Sequence, residues 1–518
     1  MLLHDLALRR ADGVDDGHLP ALITTEGEVS RDRLRAEVER MAGAVASLAP
    51  LGGRIALASD SRPEVVALLL AIPAAGRVAV PLNIRLTPDE MIEQLNAVAA
   101  DAVVGSAEEL GRLSPAMGRA AAVRTTVGLD AGAGDISLTA LTSAPVMATA
   151  RATDDRAPAW IIFTSGTGGR PKGAVLTAAS LAAAVATSVD ARPFADDDVY
   201  LYPFPLYHVS AYNVLHALAR HRPVVLPRRF DATEIIELTG RHGVTCMSLA
   251  PTMLRLLLDQ LPSAPEGALA GLRTITYGAA PMPPGLLAEA DATLGAGFSQ
   301  GYGMTELSGN AVFLPPDDHR RGLAGDARLL KAAGRAGEGV ELRITGDDGS
   351  ELPAGEPGEI RVRAAQVCAG YWEDPAATAE AIEDGWLRTG DVGTLDADGL
   401  LTIVDRAKDI IVTGGENVSS REVEDALDHH PDVSRVAVFG LPDERWGEKV
   451  CAAVVLRRGA EVDPTALAAD ITAEAGRRLA RYKVPKQIFF VDDLPVNAGG
   501  KVVKPELRRR LAPTSDPA

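Results

Sequence analysis

The sequence TSGTGGRPKG fills residues 164–173, between two short apolar runs at 159–163 and 174–177. The apolar runs predict buried strands, and the small residues between them predict a loop. Its glycines reach backbone angles closed to other residues, so successive N–H groups can point at one anion. Hydroxyl and cationic side chains, which also attract an anion, stand at Thr164, Ser165, Thr167, Arg170 and Lys172. The loop is a candidate phosphate site, although its composition alone is equally typical of a surface loop.

The loop differs from the common P-loop, in which Gly-Lys is followed by Ser or Thr. Here Lys172 stands between Pro171 and Gly173. The order Thr-Ser-Gly-Thr-x-Gly-x-Pro-Lys-Gly instead resembles the signature loop of the adenylate-forming enzymes, which include fatty-acyl-CoA synthetases and 4-coumarate–CoA ligases. Gly168 departs from that family, which usually has Thr here, and the exchange bears on how the loop holds pyrophosphate. The resemblance implies ATP contacts at Thr164, Ser165, Gly166, Thr167 and Lys172.

Length, charge and cysteine content narrow the class of protein. A chain of 518 residues exceeds one ordinary core, so we expect two or more domains. The net charge of −18 argues against a nucleic-acid binder. Three widely spaced cysteines argue against a disulfide scaffold and fit a reducing cytoplasm. The most apolar stretch, 65–81, is interrupted by Pro73 and Arg77 and is too short to span a bilayer.

Strand and helix patterns alternate through the N-terminal third of the chain. They predict a hairpin at 21–30, a helix at 34–48, strands at 54–58, 78–80 and 101–104, a helix at 63–72 and a capped helix start at 87–90. This alternation predicts an α/β fold with a largely parallel sheet covered by helices. Residues 131–155 show little periodicity and predict an irregular connection.

The aromatic segment 199–208 predicts a strand that ends at His208. A lone histidine is most often a packed residue, but the order Pro-Leu-Tyr-His resembles the family's next motif, whose histidine borders the acyl pocket. The resemblance implies a pocket formed by His208, Ser210, Ala211, Gly278, Gln300, Gly301 and Gly303. None of these residues is Arg or Lys, which disfavours a dicarboxylic acid. Their small size leaves room for an aryl ring or an alkyl chain.

Residues 274–281 predict a strand that ends in small side chains. Such an end lets a flat ring lie against bare backbone, although it is also an ordinary strand-to-turn junction. The resemblance assigns one side of the adenine to Gly278, Ala279 and Ala280.

Residues 299–306, Ser-Gln-Gly-Tyr-Gly-Met-Thr-Glu, resemble the core motif of the family. The resemblance implies that Tyr302 stacks on adenine and that Thr305 contacts the α-phosphate. Glu306 offers a hard oxygen ligand, and the implied role is to bind Mg²⁺.

Further motifs follow in the order that the family shows. In 386–391 the Thr-Gly-Asp context implies that Asp391, whose carboxylate only accepts hydrogen bonds, clamps the ribose. Arg406 is the second implied ribose and phosphate contact. The resemblance places a hinge at Lys408, between an N-terminal adenylation domain at 1–406 and a small mobile α+β domain at 407–518.

The C-terminal domain carries the remaining motifs. Gly414 and Gly415 resemble the loop that lines the pantetheine tunnel of thioester-forming members, and Trp446 begins a Trp-Gly-Glu that is frequent in CoA ligases. Lys501 lies in a Gly-Lys-Val-x-Lys motif that implies the lysine of adenylation. Lys504 we expect to be a helper or a surface charge.

Together the motifs imply an ATP- and Mg²⁺-dependent acid–CoA ligase of layered α/β subdomains plus a mobile C-terminal domain. A carboxylate attacks the α-phosphorus of ATP to give acyl-AMP and pyrophosphate, and CoA then releases AMP. We expect the acid to be a fatty or an aryl acid. We also expect a cytoplasmic location, and a homodimer is compatible with the sequence. Two rival functions stay open: an adenylating enzyme that loads a carrier-protein thiol or an amine, and a catalytically silent nucleotide-binding protein, towards which Gly168 leans.

Overall fold

The computed structural model describes residues 2–9, 16–143, 154–164, 171–346, 348–406, 409–413, 416–443, 445–457, 463–496 and 502–512. The chain divides into two compact units. The larger unit comprises Met1–Leu342 and Val362–Arg388, and the smaller unit comprises Arg343–Arg361 and Thr389–Ala518. The fold is mixed α/β, with a large N-terminal part and a smaller C-terminal part, as the sequence predicts. The proposed domain boundary after Arg406 stays a prediction.

The strands of the described residues are numbered along the chain. They are β1 (Pro20–Thr24), β2 (Gly27–Ser30), β3 (Arg54–Ala58), β4 (Val78–Pro81), β5 (Ala102–Gly105), β6 (Thr125–Gly128), β7 (Ile136–Ser137), β8 (Pro158–Thr164), β9 (Lys172–Thr177), β10 (Tyr200–Leu201), β11 (Val224–Val225), β12 (Cys246–Leu249), β13 (Thr274–Tyr277), β14 (Gly297–Met304), β15 (Gly309–Leu314), β16 (Arg335–Ala336), β17 (Val340–Thr345), β18 (Gly358–Ala364), β19 (Ile382–Glu383), β20 (Trp386–Leu395), β21 (Leu401–Arg406), β22 (Ile411–Thr413), β23 (Glu416–Val418), β24 (Val433–Asp443), β25 (Gly447–Leu456) and β26 (Gln487–Phe490).

The α-helices of the described residues are numbered in the same way. They are α1 (Leu3–Leu8), α2 (Arg31–Val45), α3 (Pro63–Ala74), α4 (Pro88–Ala97), α5 (Ala107–Leu113), α6 (Leu138–Ser143), α7 (Ala178–Ala191), α8 (Tyr212–Ala219), α9 (Ala232–His242), α10 (Pro251–Gln260), α11 (Pro284–Leu294), α12 (Pro316–Leu323), α13 (Ala327–Lys331), α14 (Pro375–Ala381), α15 (Ser420–Leu427), α16 (Pro464–Arg478) and α17 (Lys504–Leu511).

Two sheets lie within the larger unit. The first has the order β7-β6-β5-β3-β4-β8-β9, and all its neighbouring strands are parallel except β8 and β9. The second has the order β16-β15-β14-β13-β12-β10-β11-β1-β2, with parallel strands from β14 to β1. The prediction of largely parallel sheets is therefore confirmed.

Helix α3 explains the most apolar stretch of the sequence. All its residues from Val65 to Ala74 are buried, and most of them join the largest core cluster together with α2, α7 and α8. A helix that is apolar on every side belongs in a core. No helix among the described residues is long and apolar enough to cross a membrane.

Two further sheets follow along the chain. One has the order β17-β18-β20-β19, with β21 beside β20. The other lies within the smaller unit, with the order β23-β22-β25-β24 and β26 beside β25. One face of this sheet packs against α15 and α16 through Val423, Leu427, Leu467 and Ile471.

Side-chain caps fix three of the helix starts. Thr87 caps α4 and forms the predicted capping box with Glu90, and Ser30 caps α2 by accepting from the N–H of Arg33. Asp463 caps α16, with Pro464 at the first position. These caps satisfy N–H groups that have no partner inside the helix.

Two secondary-structure predictions were wrong. The segment 199–208 forms a strand only at Tyr200–Leu201, because Pro203 and Pro205 cannot donate to a sheet ladder. The segment 131–155 is not wholly irregular, since β7 and α6 lie within it. Residues 144–153 of that segment lie outside the described part of the chain.

Candidate active site

Strand β8, which leads into the candidate phosphate loop, is anchored by Trp160. This side chain is 1% exposed, and its indole Nε1–H donates to the carbonyl of Leu69 in α3 at 3.0 Å. Removing a buried aromatic ring of this size typically costs about 3–5 kcal/mol of stability. The start of the loop is therefore fixed on the core.

Thr164 and Lys172 close the two ends of the loop. They are paired in the antiparallel register of β8 and β9, and Thr164 Oγ1 donates to the Lys172 carbonyl at 3.4 Å. The loop residues Ser165, Gly166 and Thr167 lie outside the described part of the chain. The structure thus places both ends of the loop at the mouth of a strand pair, as the sequence predicts.

Glu306 lies in a short 3₁₀ turn, Thr305–Leu307, directly after β14. It is buried, and its Oε1 accepts a hydrogen bond from Tyr371 Oη at 2.8 Å. The Glu306 carbonyl accepts the N–H of Cys368 at 2.8 Å. Both the backbone and the carboxylate of Glu306 are therefore held by the segment 368–371.

Tyr371 also contacts the phosphate-loop lysine. Lys172 Nζ lies 5.2 Å from the centroid of the Tyr371 ring, within the range of a cation–π interaction. Burial, together with the nearby negative charge of Glu306, raises the pKa of the Tyr371 phenol. Tyr371 therefore stays protonated and donates to Glu306.

The predicted adenine segment carries a strained backbone. Ala279, which follows β13 by two residues, has a φ of +66°, in the left-handed region that non-glycine residues rarely occupy. Such strain clusters at functional sites. At Gly278 an added Cβ would lie 2.7 Å from the Gly301 carbonyl oxygen, so the chain that leaves β13 passes the middle of β14 with no room for a side chain.

The glycines of β14 are required by its packing on β15. A Cβ at Gly301 would lie 2.2 Å from Asn310 Nδ2, and a Cβ at Gly303 would lie 2.0 Å from the Gly309 carbonyl oxygen. Both distances are shorter than any real contact. These two positions therefore have a structural reason to be glycine, whatever lies in the pocket.

Gln300 faces the other side of β14, because successive side chains of a strand alternate. Its Oε1 lies 3.0 Å from Tyr277 Oη, which lies 2.8 Å from His319 Nε2. Burial lowers the pKa of His319, and its Nδ1 lies 3.0 Å from the carbonyl of Pro315. The predicted acyl-pocket residues Gln300, Gly301 and Gly303 thus occupy both faces of one strand, with Tyr302 on the Gln300 side.

His208 and Ser210 lie together after β10. The ring centroids of His208 and Tyr207 are 4.9 Å apart. The backbone carbonyl of His208 accepts the N–H of Ala211 at 3.0 Å. Ser210 Oγ lies 2.9 Å from the hydroxyl of the buried Tyr202. A short 3₁₀ turn, Val209–Ala211, leads from this pair into α8.

In the smaller unit, strand register brings the two ribose candidates together. Asp391 is directly opposite Arg406 in the antiparallel pairing of β20 and β21. Asp391 is buried, and Gly390 before it has a φ of +69°. Asp391 therefore lies within a strand rather than at its end. The side chain of Arg406 lies outside the described part of the chain.

In the smaller unit, strand register also pairs two residues that are adjacent in sequence to the CoA candidates. Thr413, the last residue of β22, pairs with Gly447, the residue after Trp446. Trp446 is 41% exposed, and its ring lies 4.8 Å from the Arg445 guanidinium carbon. Gly414 and Gly415, which follow Thr413, lie outside the described residues, as do Lys408 and Lys501.

Lys504 is not a surface charge. Its Nζ lies 2.8 Å from Glu424 Oε1 and also contacts Ser420 Oγ, and its side chain is 12% exposed. Ser420 in turn donates its N–H and its hydroxyl to Asp405 Oδ2 at 2.6 and 2.7 Å. Lys504 thus joins the start of α17 to α15 and, through Ser420, to β21.

The sequence matches the AMP-binding enzyme family over residues 12–372 and the AMP-binding enzyme C-terminal domain over residues 422–501. The chain belongs to the AMP-binding enzymes. The indoleacetate–CoA ligase of Aromatoleum aromaticum is 36% identical over 509 residues, 97% of each chain. The feruloyl-CoA synthase of an Amycolatopsis species is 35% identical over 462 residues, 89% of each chain.

Solved structures of this family of AMP-binding enzymes resemble the chain over its whole length. ATP-bound MatB from Rhodopseudomonas palustris is 33% identical with a TM-score of 0.88, and the match covers 100% of each chain. The amide bond synthetase McbA from Marinactinospora thermotolerans is 32% identical with a TM-score of 0.86, and the match covers 98% of this chain and 99% of that one.

Sequence motifs missed the residues that hold the predicted ones in place. Tyr371 links Glu306 to Lys172, and the pair Tyr277 and His319 holds Gln300. The signal for Tyr371 is the Gly-Tyr-Trp of 370–372, two aromatics after a glycine. His319 carries no such signal, because only the packing of α12 on β14 brings it to Tyr277.

Proposed function

We propose that this AMP-binding enzyme is an ATP-dependent acid–CoA ligase that forms acyl-AMP and then acyl-CoA. The observation that carries the proposal is the convergence of Lys172 and Glu306 on Tyr371, at the mouth of the candidate phosphate loop. A cation and a buried carboxylate placed beside an anion-binding loop are what the transfer of a nucleotidyl group needs. The named CoA ligases among the relatives support the same function.

In the first step, a carboxylate oxygen of the acid attacks the α-phosphorus of ATP, and pyrophosphate leaves. Lys172 neutralises charge on the departing phosphates, and Thr305 donates its hydroxyl to the α-phosphate. Asp391, which is opposite Arg406, accepts the ribose hydroxyls. Lys501 enters the site for this step, and its role follows from the family motif.

The residues present fit a magnesium ion bound together with ATP. Among the described residues, no group of three or more His, Cys, Asp or Glu side chains could form a metal cage. Mg²⁺ is usually held by one or two carboxylates plus substrate phosphates, so the single buried Glu306 suits it. When bound, the ion would screen the negative charge of the phosphates.

In the second step, the thiol of CoA attacks the acyl-AMP carbonyl carbon, the acyl C–O bond to phosphate breaks, and AMP leaves. The exposed Trp446 beside the end of β22 offers the pantetheine arm or the adenine an aromatic surface. Gly414 and Gly415 line the tunnel and Lys408 acts as the hinge, with the domain boundary after Arg406. These assignments rest on the family motifs.

The acid is an aryl or alkyl monocarboxylic acid. The pocket residues His208, Ser210 and Gly278 carry no cation that would pair with a second carboxylate. The names of the relatives fit either class of acid: two are an indoleacetate–CoA ligase and a feruloyl-CoA synthase, and FadD13 of Mycobacterium tuberculosis is named a long-chain-fatty-acid–CoA ligase. A cytoplasmic location and a homodimer remain predictions.

A second candidate function is transfer of the acyl group to an amine instead of CoA. The similarity to an amide bond synthetase along nearly the whole chain supports it. Loading of a carrier-protein thiol is a further candidate, because one relative, ScoC of Streptomyces coeruleorubidus, is named a fatty acid–[acyl-carrier-protein] ligase. Nucleotide binding without catalysis is the weakest candidate. The exposed Trp446 and its Trp-Gly-Glu context favour CoA over the amine, the carrier protein and the silent site.

One incubation tests these functions. The purified protein receives ATP, Mg²⁺, CoA and a pool of aliphatic and aromatic carboxylic acids, and mass spectrometry detects AMP and new acyl-CoA masses. The proposal predicts AMP and a discrete set of acyl-CoA products from aryl or fatty acids. Acyl-adenylate without acyl-CoA, which forms an amide once amines are added, supports the second candidate. ATP binding without AMP for any acid contradicts both.

A further inference from the structure

We propose that Tyr371 is a positioning residue that fixes the Glu306 carboxylate and the Lys172 side chain toward the phosphates of ATP. The inference rests on the proposed function, because it assigns phosphate chemistry to Glu306 and Lys172. Tyr371 belongs to none of the motifs that the sequence analysis identified. It connects Glu306 and Lys172, which belong to two of those motifs, through its hydroxyl and its ring.

The hydroxyl of Tyr371 contacts the Glu306 carboxylate. Its O–H donates to Glu306 Oε1 at 2.8 Å, and hydrogen bonds to charged acceptors are about twice as strong as neutral ones. A carboxylate accepts at about four lone-pair positions, so one such bond fixes its rotation and leaves positions for a metal ion. Carboxylate ligands in proteins are usually oriented in this way by a second residue.

The ring of Tyr371 contacts the Lys172 side chain. Lys172 Nζ lies 5.2 Å from the ring centroid, where the ring quadrupole attracts a cation. The ring face takes no conventional hydrogen bond, so the three N–H donors of the ammonium group remain available to phosphate oxygens. Tyr371 therefore restrains a long flexible side chain without consuming its donors.

The backbone of Tyr371 is held as firmly as its side chain. The N–H of Val175 donates to the Gly370 carbonyl at 2.9 Å, and the N–H of Trp372 donates to the Gly173 carbonyl at 2.8 Å. The N–H of Tyr371 itself donates to Thr378 Oγ1 at 2.9 Å. The segment 369–372 thus extends β9 as an added edge, which gives Tyr371 a fixed position relative to Lys172.

Its tightest constraint is Gly370. This residue has a φ of +118°, and an added Cβ would lie 2.4 Å from Thr378 Cγ2. Only glycine satisfies both conditions. The chain therefore turns sharply at Gly370, and the turn directs the following ring between β9 and the Thr305–Leu307 turn.

The test is ATP binding by calorimetry, with and without Mg²⁺ and without any acid, on the full-length protein. Tyr371→Phe keeps the ring and loses the hydroxyl, and Tyr371→Leu loses both. Trp372→Phe, in the same added edge, is the matched control, since its ring packs 5.5 Å from the Arg54 guanidinium carbon instead. Melting temperatures of all variants establish that each one folds.

We expect Tyr371→Phe to raise the Mg²⁺ concentration for half-maximal ATP binding by about tenfold, the usual effect of losing a residue that orients a metal ligand. Its affinity for ATP without Mg²⁺ stays within about twofold of the wild type. Tyr371→Leu also loses about two- to fivefold in metal-free affinity, because Lys172 loses its ring. Trp372→Phe matches the wild type in both conditions.

An unchanged Mg²⁺ dependence in Tyr371→Phe overturns the inference, as does a Trp372→Phe effect of the same size. An ATP affinity of the wild type that does not depend on Mg²⁺ also overturns the inference. The proposed function fails separately: a wild type that binds ATP with Mg²⁺ yet makes no acyl product refutes the ligase and leaves the role of Tyr371 in nucleotide binding intact.

Discussion

Lys172 in the larger unit and Lys504 in the smaller unit lie in similar sequences, each near a glycine and a candidate catalytic motif. Their surroundings differ. Lys172 contacts the face of an aromatic ring, whereas Lys504 contacts a carboxylate, Glu424, and a hydroxyl, Ser420. An ammonium group has three N–H donors, and the two acceptors beside Lys504 engage two of them.

The difference shows how the role of a lysine follows from its neighbours. A ring restrains Lys172 and leaves its donors for a ligand, which suits phosphate binding. A carboxylate and a hydroxyl use the donors of Lys504 to connect α17 with α15, which suits a structural role. Glu306 and Glu424 differ in the same way, because the partner of Glu306 is a neutral phenol and the partner of Glu424 is a cation.

Glu306→Gln gives the largest expected effect on activity. The amide keeps the shape of the side chain but loses the charge that would bind Mg²⁺, and we expect acid-dependent exchange of pyrophosphate into ATP to fall about 10²–10³-fold. Glu424→Gln is the matched control in the smaller unit and keeps exchange within about threefold. Equal losses of exchange in Glu306→Gln and Glu424→Gln would show that the two carboxylates do not differ in function.

Lys172→Met is expected to lower the same exchange rate by about 10–100-fold, the range for a lost hydrogen bond to a charged group. Methionine preserves most of the apolar stem against Tyr371, so the loss reports the charge. The melting temperature should stay within about 2 °C of the wild type. If exchange is unaffected, Lys172 does not contact the phosphates.

Asp391→Asn should raise the KM for ATP by about tenfold with a smaller change in kcat, because one acceptor of the ribose hydroxyls is lost while the fold of β20 is kept. The KM values for the acid and for CoA serve as internal controls. An ATP KM equal to that of the wild type would remove the ribose role and with it the functional meaning of the Asp391–Arg406 register.

Lys504→Met should change stability rather than KM, which stays within about twofold for ATP. Burial raises the pKa of Glu424 even with Lys504 beside it, and losing the cation raises that pKa further. A carboxyl whose folded pKa is raised loses stability as pH rises above its unfolded pKa. The deficit in melting temperature is therefore larger at pH 7.5 than at pH 5.5, and a deficit that grows on acidification would contradict this account.

The sequence predicted the secondary structure correctly where local rules determine it. Capping by Ser30, Thr87 and Asp463 set three helix starts, and alternation of strands and helices predicted the parallel sheets. It failed at 199–208, where an apolar aromatic run predicted a strand that two prolines prevent. Apolar periodicity reports burial, whereas ladder hydrogen bonds need N–H groups that proline lacks.

For the site, motifs identified the candidate ligand-binding residues but not the residues that hold them in place. Glu306 and Lys172 stand in recognisable strings, but Tyr371 reaches them only through the added edge on β9. Lys504 was expected at the surface or as a helper, since its position at the end of the Gly-Lys-Val-x-Lys motif carries no signal of its partner. Glu424 is far away in sequence, and only the packing of α17 on the smaller unit's sheet reveals the pair.

The central claim, that the enzyme makes an acyl-adenylate and passes it to CoA, is tested most directly by a single-turnover experiment. The protein in excess over ATP receives Mg²⁺ and the best acid of the pool, and CoA is added after a delay. The account predicts acid-dependent release of pyrophosphate with acyl-AMP retained on the enzyme, then its conversion to acyl-CoA and AMP when CoA arrives. Acyl-AMP that persists unchanged after CoA is added would contradict it.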